Sequence, residues 1–254
     1  MFIIEAGVNH FGKKKELDLI TNYIFKSTFK SMTLMCHFSD FYKKYKKKGI
    51  NFEISEKTYF DLIKKFKKNK KKLGLSVCDY ETFSKVEHLN FDFYKLLSIG
   101  INDEKVINAL KKKNKKIYIS TGFNASLKKI KKCIKLFDGF EKIELLHTPM
   151  TYQSQRLNLN KIEYLNKKFK LPVGYSHHNN NINTLYALSY YEPKVIFLYC
   201  KQLLKKNRSY PDNDHAIYIK YLEEIKNNYL QCVKMHKKQN GRFKNEKIFK
   251  TIKI

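Results

Sequence analysis

The segment Val173-Gly174-Tyr175-Ser176-His177-His178 places one hydroxyl and two imidazoles directly after a short apolar run. A neutral imidazole can ligate a divalent metal or move a proton, and a hydroxyl can bond an anion. An apolar run ending in a polar cluster is how a parallel α/β sheet presents chemistry at the carboxyl ends of its strands. The pattern recurs along the chain. Glu5, Asn9 and His10 follow one run, Cys36 and His37 a second, and Ser76 closes a third. Lys95 and Ser98 mark a fourth, Ser120, Thr121 and Gly122 a fifth, and His147, Thr148 and Tyr152 a sixth. The last run ends in Tyr199, Cys200 and Lys201, with Asp212 in the loop beyond. Any one of these could simply cap a loop. Together they would ring one opening with acid, base, hydroxyl and cation, and His10 and His147 are candidates for proton transfer there.

The elements that must position them read as strands over 2–6, 32–36, 73–77, 91–97, 116–120, 142–146, 171–175 and 195–199. Each is short and apolar without strict alternation, which is the signature of strands buried on both faces. Amphipathic segments separate them at 13–27, 55–69, 80–88, 103–113, 126–137, 158–169 and 183–191, with an eighth at 214–234. Eight βα alternations predict an α/β fold, a closed (β/α)8 TIM barrel in a single domain over residues 1–235. A doubly wound open sheet is the alternative, but the Gly-rich first turn typical of that fold is absent. Residues 236–254 read as a basic C-terminal helix or tail.

The composition excludes several classes. A chain of 254 residues suits one barrel. The formal net charge of +29 suggests a polyanion partner, yet Arg156, Arg208 and Arg242 are the only arginines. Nucleic-acid readers lean on arginine for bidentate contacts, so the charge is read as lysine-rich solvated helix faces and nucleic acid is disfavoured. The five cysteines are widely spaced with no CxxC pair, which indicates neither a zinc knuckle nor a disulfide framework. The apolar runs are too short for a transmembrane segment, and the N-terminus lacks a signal-peptide pattern. The expected localisation is cytoplasmic.

The motifs FIIEAGVNHFG (2–12), KLLS (95–98), ISTG (119–122), LLHTPMTY (145–152), VGYSHH (173–178) and YPDNDH (210–215) carry a resemblance. In this order the chain resembles the sialic acid synthase (N-acetylneuraminate synthase) family over about residues 2–235. The resemblance implies a TIM barrel that condenses phosphoenolpyruvate with an N-acetylated amino sugar, uses a divalent metal (Mn or Mg) and releases phosphate. It also implies a setting in nonulosonic acid or cell-surface carbohydrate biosynthesis, and a homodimer. By position, Lys95, Ser98, Ser120 and Ser176 would bind phosphoenolpyruvate. Glu5, Tyr152 and Asp212, with His37 at the family's Gln position, would face the sugar. His178 would hold the metal. Glu5, His10, Lys95, Tyr152 and Asp212 are the candidate catalytic set.

The chain also departs from the pattern. Tyr199 replaces the second metal histidine and Phe197 the acid two residues before it. Met35-Cys36-His37 stands for Lys-Phe-Gln, which removes a cation. Val77, Ile99, Met150 and His177 replace a Thr, a Gly, an Asn and an Asp. The antifreeze-like C-terminal domain that supplies an Arg in many relatives is not seen in this sequence, and Arg156 or Arg208 is the local substitute. His37 and His177 are the candidates to rebuild a metal site, while His88, His215 and His236 read as surface residues. Three functional readings follow: a divergent synthase, a catalytically impaired barrel (a pseudoenzyme or accessory subunit) that keeps a sugar or anion pocket, or a nucleic-acid or membrane-surface binder driven by the charge of +29, the least favoured of the three.

Overall fold

The computed structural model describes residues 1–123, 125–202 and 210–236. The strands β1 (Phe2–Glu5), β2 (Ser31–Cys36), β3 (Lys72–Val77), β4 (Phe93–Leu96), β5 (Lys116–Ser120), β6 (Ile143–His147), β7 (Val173–Ser176) and β8 (Ile196–Lys201) are parallel and hydrogen-bonded in chain order. Pairing of β1 with β8, Phe2 against Ile196 through Glu5 against Tyr199, closes the barrel. This is the (β/α)8 TIM barrel expected.

Alternation along each strand decides what reaches the interior. Phe2, Ile4, Tyr94, Leu96, Ile117 and Ile119 point outward into the main core, against Leu17, Ile20 and Val106 of the helices. Ile3, Phe93, Tyr118, Leu146, Val195 and Phe197 point inward and form a plug inside the barrel. Their rings meet edge to face, Phe93 with Tyr118 at 5.8 Å and Tyr118 with Phe197 at 5.1 Å. Gly74 makes room for this plug, because a Cβ there would lie 2.2 Å from the Phe93 ring. The next position of each strand on the same face lies one layer nearer the carboxyl end. It is Glu5 after Ile3, Lys95 after Phe93, Ser120 after Tyr118, and Tyr199 after Phe197. The plug is therefore the floor of the site.

Helices α1 (Lys14–Lys26), α2 (Ser39–Lys46), α3 (Glu56–Lys68), α4 (Tyr80–Phe83), α5 (Glu104–Lys112), α6 (Leu127–Leu136), α7 (Lys161–Phe169), α8 (Asn183–Leu188) and α9 (Leu222–His236) surround the barrel. Ser55, Asp79, Asp103 and Ser126 cap their helices by accepting N–H groups of the first turn. Three sequence expectations are corrected. The helix expected over 80–88 is the single turn α4, after which turns closed by Val86 N–H to Phe83 O and Leu89 N–H to Val86 O lead into β4. Helix α2 was not expected, since it buries only Ser39 and Tyr42 and its sequence is half lysine and acid. The helix expected from 214 starts only at Leu222. The chain first forms β9 (Ile217–Tyr218), pairing Cys200 with Ile217 and Lys201 with Tyr218. Among the described residues no helix is long and apolar enough to cross a membrane. The expected tail lies outside the described residues beyond His236.

Candidate active site

The carboxyl ends of the strands hold a buried polar network. Lys95 Nζ donates to Glu5 Oε2 at 2.6 Å and to Ser176 Oγ at 3.0 Å. Ser76 Oγ donates to the other Glu5 oxygen at 3.3 Å and meets Thr33 Oγ1 at 3.1 Å. All five side chains are buried, with Lys95 and Ser176 fully enclosed. Burial lowers the Lys95 pKa, and the Glu5 carboxylate opposes that shift. The ammonium also lies 4.7 Å from the Phe197 ring centre and 5.7 Å from that of Tyr199, where aromatic faces favour a cation. Two of its three N–H donors serve Glu5 and Ser176, which leaves one for a ligand.

Above the network a cavity of about 410 Å³ is lined by Lys95, Ser98, Ser120, His37 and His178, with Met35, Phe38, Phe41, Ile99, Phe123, Met150 and Tyr199 among its walls. One cation and the hydroxyls of Ser98, Ser120 and Thr148 therefore face a mostly apolar chamber. His37 is committed to this wall. Its ring stacks on Phe41 at 3.7 Å, its Nδ1 accepts from Phe38 N–H, and burial lowers its pKa to about 4. A second cavity of about 450 Å³ shares Phe123, Thr148 and Met150 with the first and adds His147, Arg156 and Lys161. His147 Nε2–H donates to the Leu157 carbonyl at 2.8 Å.

The segment just before β9 forms the rim. Asp212 Oδ2 accepts from Val8 N–H at 3.2 Å, and Asp212 N–H donates to Asn9 Oδ1 at 3.0 Å. Asn9 in turn donates to the Cys200 carbonyl at 2.8 Å, and Lys201 Nζ donates to Asn213. Burial raises the Asp212 pKa to about 6 against the opposing bond from Val8. Gly7, at φ +53°, lets the β1 loop pass under this carboxylate, where a Cβ would lie 2.3 Å from Oδ2. Tyr152 is 56% exposed, and partial burial and then Asp214 raise its pKa.

A family model described as the NeuB family matches residues 19–240. The chain belongs to the NeuB family. It is 29% identical over 171 residues to N,N'-diacetyllegionaminic acid synthase of Campylobacter jejuni subsp. jejuni, covering 65% of this chain and 50% of that protein. The chain spans about half the length of the curated relatives it matches. The fold is that of the N-acetylneuraminic acid (sialic acid) synthetase from Leptospira borgpetersenii, with a TM-score of 0.82 at 19% identity over 95% of this chain and 87% of that one. It is also that of the spore coat polysaccharide biosynthesis protein SpsE from Bacillus subtilis, with a TM-score of 0.78 at 17% identity over 95% and 71%.

In this NeuB-family barrel the predicted residues separate into three places. Glu5, Lys95 and Ser176 are joined directly, and Lys95, Ser98, Ser120, His37 and His178 share the cavity. Asp212 and Tyr152 stand at the rim and do not line that cavity. His10 is fully enclosed, accepts Gly12 N–H on Nδ1, and does not line the cavity either. Sequence reasoning missed Thr33, although it lies two residues before the inward Met35 on β2. It also placed His215 on the surface, whereas its ring lies 4.9 Å from that of His178 and 4.7 Å from that of Tyr199.

The donors for a divalent metal were tested on this geometry. Tyr199 does not fit the role of the histidine it replaces: burial, then Glu5 and Asp212, raise its pKa well above the ordinary phenol value, so it stays protonated. His178 fits. Its Nδ1 lies 3.1 Å from the Ser176 carbonyl, which fixes the N–H there and leaves Nε2 with its lone pair. Burial holds its pKa well below the usual value, so it is neutral at pH 7. His177 is fully buried and does not line the cavity.

Proposed function

We propose that this NeuB-family barrel condenses phosphoenolpyruvate with an N-acetylated amino sugar, or a related aldehyde, and releases phosphate in carbohydrate biosynthesis. The observation that carries the reading is Lys95 at the cavity floor, held between Glu5 and Ser176 with one donor to spare. That N–H and the Ser98 hydroxyl can bond a phosphate or carboxylate oxygen, and Ser120 would join them by turning its hydroxyl away from Thr148 Oγ1, to which it donates at 2.8 Å. Glu5 is buried and does not line the cavity, and its bond to Lys95 fixes the ammonium. Asp212, with a pKa near 6, can take or give a proton at the rim when the acceptor carbonyl oxygen becomes a hydroxyl. In the reaction the terminal carbon of phosphoenolpyruvate attacks the acceptor carbonyl carbon. Water then adds to the former enol carbon, and phosphate leaves to give a keto acid. A divalent metal on His178 would polarise the acceptor carbonyl. A homodimer belongs with this reading, and light scattering of the full chain tests it.

A second reading is favoured by one feature. The Lys95 charge is already balanced by Glu5 at 2.6 Å, and Met35 lines the cavity where the family pattern carries a lysine. A pocket with little net positive charge would bind a neutral sugar and not turn over phosphoenolpyruvate. Phosphate release with Mn²⁺ or Mg²⁺, across a panel of N-acetylated hexosamines and their aldehyde relatives, separates the two. Acceptor-dependent release that falls at least about tenfold in Ser120→Ala supports the synthase. Folded protein that releases none with any acceptor supports the pocket alone.

A further inference from the structure

We infer that His215 is the second metal ligand of this barrel, so that His178 and His215 together bind one divalent transition-metal ion through two imidazole nitrogens. The inference rests on the metal-assisted reading above and identifies residues for it that lie outside the strand-eight position where Tyr199 stands.

Three independent features converge. The first is ring geometry. Metal–nitrogen bonds of about 2.1 Å place the centres of two imidazoles sharing one ion roughly 4.5–5.5 Å apart. The His178 and His215 centres are 4.9 Å apart, tilted by 39°. The second is an open valence on each ring. His178 uses Nδ1 on the Ser176 carbonyl, the outer bond that commonly orients a ligating histidine. His215 Nε2 is buried with no hydrogen-bond partner. The third is a fixed backbone. Asp212, Asn213 and β9 tie the loop that carries His215 to Val8, Asn9 and Lys201. A ligand on this loop is therefore held, as a metal site requires.

Charge is compatible as well. Lys95 disfavours a nearby cation, whereas Glu5 and Asp212, which both act on the adjacent Tyr199, favour one. No group of three His, Cys, Asp or Glu converges among the described residues, so two protein ligands would leave the other positions to water and substrate oxygens. Nitrogen donors shift preference from Mg²⁺ towards Mn²⁺, Co²⁺ and Zn²⁺.

The test titrates the full chain with Co²⁺ alone, without phosphoenolpyruvate or acceptor. Visible absorption reads the affinity, and pulsed electron paramagnetic resonance of bound Mn²⁺ counts the coordinating nitrogens. Two nitrogens are expected in the wild type and one in His215→Ala, with Co²⁺ affinity at least about tenfold lower in His178→Ala and His215→Ala. His215→Gln guards against loss of fold, and circular dichroism confirms it. Tyr199→Phe keeps the ring and should bind Co²⁺ within about twofold of wild type. Wild-type affinity in His215→Ala would overturn the inference and leave His215 as an edge-on packing partner of Tyr199. So would loss of binding in Tyr199→Phe, or a wild-type chain that binds no Co²⁺ at millimolar concentration. Because substrates are absent, a barrel that binds metal but releases no phosphate fails only the synthase reading.

Discussion

On one side of the barrel mouth, Thr33, Ser76, Glu5, Lys95 and Ser176 bond one another, and no buried side-chain atom among them lacks a partner. On the side formed by the residues next to it, both nitrogens of His177 and Nε2 of His215 are buried with none. An unpaired buried polar atom costs roughly 1–3 kcal/mol, so folds keep such atoms where a ligand, ion or water completes them. The first side is closed upon itself and holds its ammonium rigidly. The second has valence left over. A barrel can thus keep the frame of a site intact while the residues that complete it with a ligand change position, as His215 does relative to Tyr199.

The largest effect that could break this comparison is at Lys95. Lys95→Met would leave the Glu5 carboxylate buried without its cation, at about 3–5 kcal/mol of stability by urea unfolding. Adding Glu5→Gln should restore most of the loss. A single variant as stable as wild type would mean the closed side is not closed.

The pH dependence sharpens the other side. His177 is held down to about 3 and His10 to about 4, both by burial, while an unfolded histidine titrates near 6.5. As pH falls below about 6.5 the unfolded chain binds protons first, so stability present above that pH is lost towards pH 4. The slope approaches about 1.4 kcal/mol per pH unit for each such histidine. Asp212 runs the other way, since its pKa of about 6 lies above the unfolded value and favours the fold as pH drops through 6. Urea midpoints at pH 7, 6 and 5 should fall steadily, and more steeply in Asp212→Asn. A flat profile would mean the histidines are not enclosed.

The smallest effect tests the edge of the network. Thr33→Val removes the hydroxyl bonds to Ser76 and to the Leu34 carbonyl but leaves Ser76 on Glu5, for about 1 kcal/mol and little change in any ligand affinity. A loss as large as that of Lys95→Met would place Thr33 at the centre of the network.

Much of this architecture is legible in the sequence, for reasons visible in particular elements. Strands buried on both faces must be short apolar runs, and all eight expected strands are present, with β5 at its expected bounds and the others shifted at their ends. Elements with little core to bury leave little pattern: α2 buries two residues, α4 is one turn, and β9 is two residues long. Residues at the strand ends were legible as candidates because polarity after an apolar run is a local signal. Their division of labour was not. His10 and His178 follow strand ends in the same way, yet one is sealed within the β1 loop and the other lines the cavity.

The sequence by itself determined the βα alternation of the barrel and the kinds of side chain brought to its mouth, because these depend on patterns within a few residues. Only the tertiary structure decided which of them meet. Lys95 pairs with Glu5 across 90 positions, and Asp212 bonds Val8 across 204. The β9 pairing turns His215 from an expected surface residue into a neighbour of His178. Closure of the sheet sets those distances, and no local pattern encodes them.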